Sequence, residues 1–282
     1  MTSRRIGIIG SGIMGAGIAE VAARAGHDVV LRSRQQSTAD STLASMGRSL
    51  AKQVERGKLT SDDRDAIIGR VVGTADLAAL GDCDLIIESV VEDLPTKLAL
   101  FADLDGLVKP DAVVATNTST LPVVEMAMRL SRPDRVCGIH FFNPAPAMSL
   151  VELVRPITAS DDTMASARQF VESCGKSAVE VADRAGFIVN ALLFPYLNNA
   201  VRLWEQGTAS KQDIDTAMKG GCNFPMGPFA LLDLVGLDTS LAILDALYAE
   251  FRDPNYAAVP TLRRMVAAGQ LGRKSGKGFF DY

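Results

Sequence analysis

The chain has 282 residues, 22% of them charged and 48% hydrophobic, and a net charge of −4. That length admits two domains or one large one with a sizeable core, and the balance is that of an ordinary globular protein. The slight acidity and short basic runs argue against a nucleic-acid binder, and no apolar run approaches the ~18 residues that span a membrane.

In chain order, "RIGIIG" (5–10) is a near-continuous apolar run, as expected of a strand buried on both faces of a parallel sheet. "MGAGIAEVAARAG" (14–26) repeats small and apolar residues at helical spacing and ends on Gly26, where a C-terminal stop belongs. "DVVLR" (28–32) is a second strand. Residues 38–57 and 60–68 carry helical periodicity, broken by "RGKLTSDD", with Thr60 or Ser61 as cap of the following helix. "GRVVGTA", "CDLIIESV" and "DAVVATNTS" are three more strands, with a helix between residues 94 and 107. "RVCGIHFF" (135–142) is a sixth strand, and "SLVELVRP" and "SAVEVAD" add two.

This βαβ rhythm predicts an α/β fold, a Rossmann-type doubly wound, mostly parallel sheet. Near "DRAGFIVN" (183–190) the character changes, and up to about residue 268 the sequence reads as helices broken at "GTAS", "GGCNFPMGP" and "RDPNYAAVP". The expected organisation is a dinucleotide-binding domain over 1–184, with a helical excursion at about 38–68, and an all-α domain over 185–282. The first strand begins almost at the start of the chain, so no leader is expected to precede it and the location is read as cytoplasmic.

Cys83, Cys137, Cys174 and Cys222 are far apart and form no CxxC pair. That spacing suits neither a zinc site nor a disulfide framework, and points to buried thiols in a reducing compartment. With only His27 and His140 present, a His-rich metal site is excluded, and no metal is expected.

"GSGIMG" places Gly10, Gly12 and Gly15 between a strand and a helix, with Ile13 and Met14 among them. Gly10 allows the tight turn, Gly12 lets a pyrophosphate approach the backbone at the helix N-terminus, and Gly15 lets helix and strand pack closely. In that context the pattern points to dinucleotide binding. A chain of this kind normally ends its second strand on an acid that bonds the adenosine ribose and repels a 2′-phosphate. Here that place holds Ser33, flanked by Arg32 and Arg34. A serine can donate to a phosphate and two guanidiniums can clamp one, so NADP is favoured over NAD. Strand alternation puts both arginines on one side; the competing reading makes them ordinary solvated charges.

Four further segments hold polar residues where a core would not choose them. "ATNTST" (115–120) follows a strand, and its end faces the cofactor crevice. "GIHFFNP" puts His140 at the end of an apolar strand, "LVELV" puts Glu152 in the middle of another, and "GFIVNAL" carries Asn190. Each has a plain structural alternative: His140 as a satisfied core residue, Glu152 paired with Arg155, Asn190 as a helix cap. Together with a dinucleotide loop they fit a hydride transfer between nicotinamide and a secondary alcohol or ketone. That chemistry needs a base near neutral pH, which histidine supplies, and a carboxylate to orient it.

At these residues the chain resembles the 3-hydroxyacyl-CoA dehydrogenase family, particularly its short bacterial 3-hydroxybutyryl-CoA members. The resemblance runs from "GSGIMGAGIA" through "ESVVEDLPTK", "ATNTST", "IHFFNPAPAMSLVELV", "DRAGFIVNALL" and "FPMGPFALLDLVGLDT" to "GRKSGKGFFDY". It implies His140 as general base or acid with Glu152 as its partner, and Ser119 and Asn190 as contacts to the substrate oxygen. Glu92, Lys97, Asn143 and Lys274 correspond to contacts around the nicotinamide half, and Ser49 and Arg56 to coenzyme A contacts. The family usually has an aspartate at Ser33, so the resemblance implies NAD while the local chemistry points to NADP. It often has an arginine where Ala191 stands. An acyl-CoA substrate, with acetoacetyl-CoA and (S)-3-hydroxybutyryl-CoA as the default pair, and a homodimer formed through the helical domain are further implications. The rival readings are a relative acting on an acyl-carrier-protein thioester or a free hydroxy (sugar) acid, and a non-catalytic dinucleotide-binding protein.

Overall fold

The computed structural model describes residues 4–282. The chain divides into two compact units, Met1–Asp183 and Arg184–Tyr282.

The first unit runs β1 (Arg5–Ile9), α1 (Ile13–Arg24), β2 (Asp28–Arg32), α2 (Gln36–Glu55), α3 (Ser61–Gly69), β3 (Val71–Thr74) and β4 (Leu85–Glu88). It continues with α4 (Leu94–Leu104), β5 (Val113–Thr116), α5 (Val123–Ala127), β6 (Val136–Phe141), β7 (Leu150–Arg155), α6 (Asp161–Ser173) and β8 (Ser177–Ala182). All eight strands join one sheet in the order β3-β2-β1-β4-β5-β6-β7-β8. Strands β1 to β6 are parallel, β7 runs antiparallel to β6, and β8 is parallel to β7.

The central strands are apolar along most of their length because helices cover both faces. Ile6, Ile8, Leu85, Ile87, Val114 and Ile139 are fully buried. The excursion expected after the second strand is the α2–α3 pair. Thr60 is the residue that caps α3, accepting from the Asp63 backbone N–H at 3.1 Å. Because β4 lies beside β1 rather than beside β3, the chain reverses its direction of advance there. That reversal opens a crevice at the carboxyl ends of the strands, where sheets of this kind bind ligands.

The second unit is helical: α7 (Val189–Glu205), α8 (Lys211–Cys222), α9 (Pro228–Val235), α10 (Leu237–Phe251) and α11 (Pro260–Ala267). Phe194, Leu197, Val201, Phe229, Leu232, Leu244 and Phe279 form its core. The rings of Trp204, Phe229 and Phe279 meet edge to face, an arrangement their quadrupoles favour. Asp215 on α8 accepts the backbone N–H groups of Phe229 and Ala230 at 2.8 and 3.0 Å, so a side chain from one helix caps the next.

All four cysteines are free. Cys83 and Cys137 are buried, and burial pushes the Cys137 thiol up to about 12. Cys222 departs from the expected burial: it sits in the last turn of α8, which is exposed throughout. Among the described residues no group of side chains is placed to hold a metal, and no helix is long and apolar enough to cross a membrane.

The other histidine has a structural place. The Arg4 backbone N–H donates to His27 Nδ1 at 3.2 Å, and His27 Nε2 lies 2.8 Å from Ser173 Oγ. A neutral ring that accepts at Nδ1 and donates at Nε2 satisfies both. Burial lowers the His27 pKa, the Arg4 charge lowers it further, and Asp28 opposes them. The unfolded chain therefore takes up a proton at a higher pH than the folded one. The resulting contribution to stability is complete above about pH 6.5 and is lost as the pH falls toward the folded-state value. Chemical denaturation across this range should show wild-type stability declining below about pH 6.5, with a shallower decline in His27→Gln. Equal slopes in the two proteins would remove His27 from that account.

Candidate active site

Each glycine of the first turn answers a different constraint. Gly10 has φ 113°, and a Cβ there would lie 2.2 Å from the Ser89 carbonyl oxygen. At Gly15 a Cβ would lie 1.8 Å from the Gly10 carbonyl oxygen. The fold itself therefore requires these two. Gly12, the N-cap of α1, has φ −71° and nothing within 4 Å of its missing Cβ. No part of the chain needs a glycine at that place. What an added side chain would fill is the open space over a helix N-terminus, where backbone N–H groups and the helix dipole receive a phosphate. Ile13 beside it is 79% exposed, and Met14 packs against the core. The turn thus fits a dinucleotide pyrophosphate.

The end of β2 follows from its pairing. Ser33 is buried; its backbone N–H donates to the Thr74 carbonyl at 2.9 Å, and its Oγ accepts from Ser11 Oγ at 2.9 Å. Strand β2 stops at Arg32, so strand alternation does not extend to Arg34 as the sequence suggested. Arg32 is half-buried with its Nε 3.4 Å from the Ala75 carbonyl, whereas Arg34 is exposed.

At the other side of the crevice, antiparallel pairing sets His140 on β6 directly opposite Glu152 on β7. Directly opposed residues project from the same face. His140 Nδ1 lies 2.8 Å from Glu152 Oε2, and both side chains are buried. A proton on Nδ1 donated to Glu152 selects the tautomer whose Nε2 can accept a hydrogen bond. Nε2 lies 3.2 Å from Ser119 Oγ, in the loop that follows β5. Arg155 turns elsewhere, to Glu180 and Asp161, which removes the alternative pairing for Glu152.

The loop carrying Ser119 is itself held. Glu92 accepts the Ser119 backbone N–H at 2.8 Å and the Thr118 hydroxyl at 2.5 Å, and its other oxygen is 3.3 Å from Lys97 Nζ. Lys97, in the first turns of α4, is 1% exposed and donates to both oxygens of Glu88. Asn117 accepts the Phe141 backbone N–H at 2.8 Å, tying the end of β5 to that of β6.

Of the expected residues, His140, Glu152, Ser119, Glu92 and Lys97 form one connected group. Asn143 is exposed just after β6. Ser49 and Arg56 are exposed at the end of α2, seven residues apart and so on one helix face. Asn190 and Lys274 belong to the second unit. Asn190 is buried in the first turn of α7, whose N-cap is Ile188, so it is not a cap. Lys274 is exposed and paired with Asp238 at 2.7 Å. Sequence reasoning missed Glu88 and Asn117. Glu88 carried the same signal as Glu152, a carboxylate within an apolar strand, and that signal was legible in "CDLIIESV".

A glycine turn at the switch point of a doubly wound sheet, together with a buried imidazole–carboxylate pair on β6 and β7 of the same sheet, defines a dinucleotide-dependent oxidoreductase. Residues 5–184 match the 3-hydroxyacyl-CoA dehydrogenase NAD binding domain, and residues 186–282 match the C-terminal domain of the same family. The chain is 46% identical over 281 residues to a 3-hydroxybutyryl-CoA dehydrogenase of Mycobacterium tuberculosis, across 99% of this chain and 98% of that one. It is 46% identical over 278 residues to the enzyme of that name from Clostridioides difficile, across 99% of both. The crystal structure of (S)-3-hydroxybutyryl-CoA dehydrogenase from Ralstonia eutropha matches with a TM-score of 0.97 at 40% identity, covering 100% of this chain and 99% of that one. The chain belongs to the 3-hydroxyacyl-CoA dehydrogenase family and is an enzyme of that class.

The glycine analysis separates fold from binding. Gly12→Val should cost no more than about 1 kcal/mol of stability, the scale of a poorer helix cap. It should weaken cofactor binding at least about tenfold, or about 1.4 kcal/mol. Gly15→Val should fail to fold. Titration of the Gly12 variant with cofactor at wild-type affinity would refute the pyrophosphate assignment.

Proposed function

We propose that the enzyme reduces acetoacetyl-CoA to (S)-3-hydroxybutyryl-CoA, with NADPH favoured over NADH. The observation that carries the chemistry is the Ser119–His140–Glu152 relay, with 3.2 Å and 2.8 Å between successive partners. The substrate pair is supported by the names of the relatives that match the chain end to end.

A bound nicotinamide supplies the hydride in reduction and takes it back in oxidation. His140 Nε2 delivers the proton to the substrate's 3-oxo oxygen, and in the oxidative direction receives it from the hydroxyl. Glu152 keeps the ring oriented and balances its charge while the proton is on Nε2. The Ser119 hydroxyl, 3.2 Å from the same nitrogen, bonds the substrate oxygen and holds it in the plane of the transfer. Ser49 and Arg56 meet the coenzyme A portion. Glu92, Lys97 and Asn143 line the nicotinamide half. The roles of Asn190 in substrate binding and Lys274 in cofactor binding rest on the family match alone.

The cofactor preference rests on the end of β2. No acid occupies it to repel a 2′-phosphate. The Ser33 oxygen accepts from Ser11, which leaves its own O–H to donate to a phosphate, and Arg34 is exposed beside it. Cells keep NADPH largely reduced, so such a preference suits reduction. The homodimer is supported by Leu192 and Leu203, eleven residues apart on one face of α7 and 72% and 40% exposed.

Steady-state reduction of acetoacetyl-CoA with NADPH and NADH in parallel tests the cofactor. A higher kcat/KM with NADPH is expected, reversing when Ser33→Asp is combined with loss of both arginines. A native preference for NADH would make Arg32 and Arg34 plain surface charges. No turnover with either cofactor would favour a carrier-protein thioester or a free hydroxy acid as substrate. For the base, His140→Ala should lower kcat by about 10²–10⁴-fold and leave cofactor affinity unchanged. Wild-type turnover in that variant would end the assignment.

A further inference from the structure

We propose that Glu88, acting through Lys97, sets the net charge on the nicotinamide side of the crevice and thereby the ratio in which oxidised and reduced cofactor bind. The inference rests on the nicotinamide-dependent reaction proposed above.

Glu88 is the last residue of β4 and is fully buried. Its two oxygens accept from Lys97 Nζ at 2.7 and 2.8 Å, from Thr116 Oγ1 at 2.7 Å and from the Val90 backbone N–H at 2.6 Å. A buried ion pair is tolerated only with this degree of hydrogen bonding, and removing one partner leaves the other charge uncompensated. Lys97 has a second anionic neighbour, Glu92, at 3.3 Å, whose side chain is 40% exposed. Two carboxylates and one ammonium leave one negative charge in excess, and Glu92 is the member that opens to solvent.

The location of that excess matters. Glu92 holds the Ser119 N–H, and Ser119 touches His140 Nε2. Hydride exchange next to His140 requires the nicotinamide ring to lie beside this group. The two redox forms of the cofactor differ at that ring by one positive charge. A net negative environment favours the cationic, oxidised form and leaves the neutral form nearly indifferent. Glu88 touches neither substrate nor cofactor, so it is a positioning residue that works through the Lys97 charge.

The charges can be cycled. Glu88→Gln brings the group to neutrality, and adding Lys97→Met to it restores one negative charge, on Glu92, without stranding the fully buried Glu88 carboxylate. Dissociation constants for NADP+ and NADPH, and for NAD+ and NADH, would be measured by calorimetry and by dihydronicotinamide fluorescence on the full-length protein. In Glu88→Gln the ratio Kd(oxidised)/Kd(reduced) should rise at least about threefold. The double variant should return toward the wild-type ratio. A purely structural role would weaken both forms alike and leave the ratio unchanged, and that result would overturn the proposal. If Glu88→Gln does not fold, Glu92→Gln decides: it removes the same unit of charge at the half-exposed member, so the ratio should rise likewise, and an unchanged ratio there overturns the proposal. Wild-type protein that binds no nicotinamide cofactor would instead overturn the functional reading, and this inference with it.

Discussion

A carboxylate withdrawn from water must be met by a cation or by several donors, at a cost of several kcal/mol if it is not. Two such carboxylates, Glu88 and Glu152, organise the working edge of this sheet. Glu152 is met by His140, and Glu88 by Lys97, Thr116 and a backbone N–H. Between them run Glu92 and Ser119, so an unbroken line of polar contacts joins β4, the loop after β5, β6 and β7. Neither end of the line can relax without stranding a buried charge. The His140 ring is thereby held in one orientation, the kind of preorganisation that the proposed proton transfer exploits.

The opposite side of the crevice is built on another principle. It offers mostly main chain: a glycine turn with no side chain over the helix N-terminus, and two serine hydroxyls in place of an acid. Backbone N–H groups and a helix dipole suit any pyrophosphate; in the proposed function that side anchors the cofactor while the strand-end network performs the chemistry. The proposed NADP preference rests on Ser33, because a neutral residue there removes the usual repulsion of a 2′-phosphate.

The strands, the glycine turn, the mostly parallel sheet and the helical character beyond residue 184 were legible because they depend on local periodicity and on residues adjacent in sequence. His140 and Glu152 were legible as polar residues in apolar strands, a conflict visible without coordinates. The family resemblance paired Glu152 with His140, but the residues by themselves left its partner open. Arg155, three residues away, was as reasonable a candidate as His140, twelve residues away, and only the strand pairing separates them. Glu88 went unread for the related reason that its cation lies on the helix that follows, and the resemblance marked Lys97 only as a cofactor contact, not as the partner of a buried carboxylate.

The sequence by itself determined the class of this protein: its family, its fold and the glycine turn after the first strand. These follow from hydrophobic spacing, glycine chemistry and residue type, all carried by short stretches of chain. Only the tertiary structure decided that β7 runs antiparallel to β6, which sets Glu152 opposite His140, and that Lys97 is buried against Glu88. Pairing of this kind depends on the direction and register in which distant segments return to one another, and no local pattern encodes either.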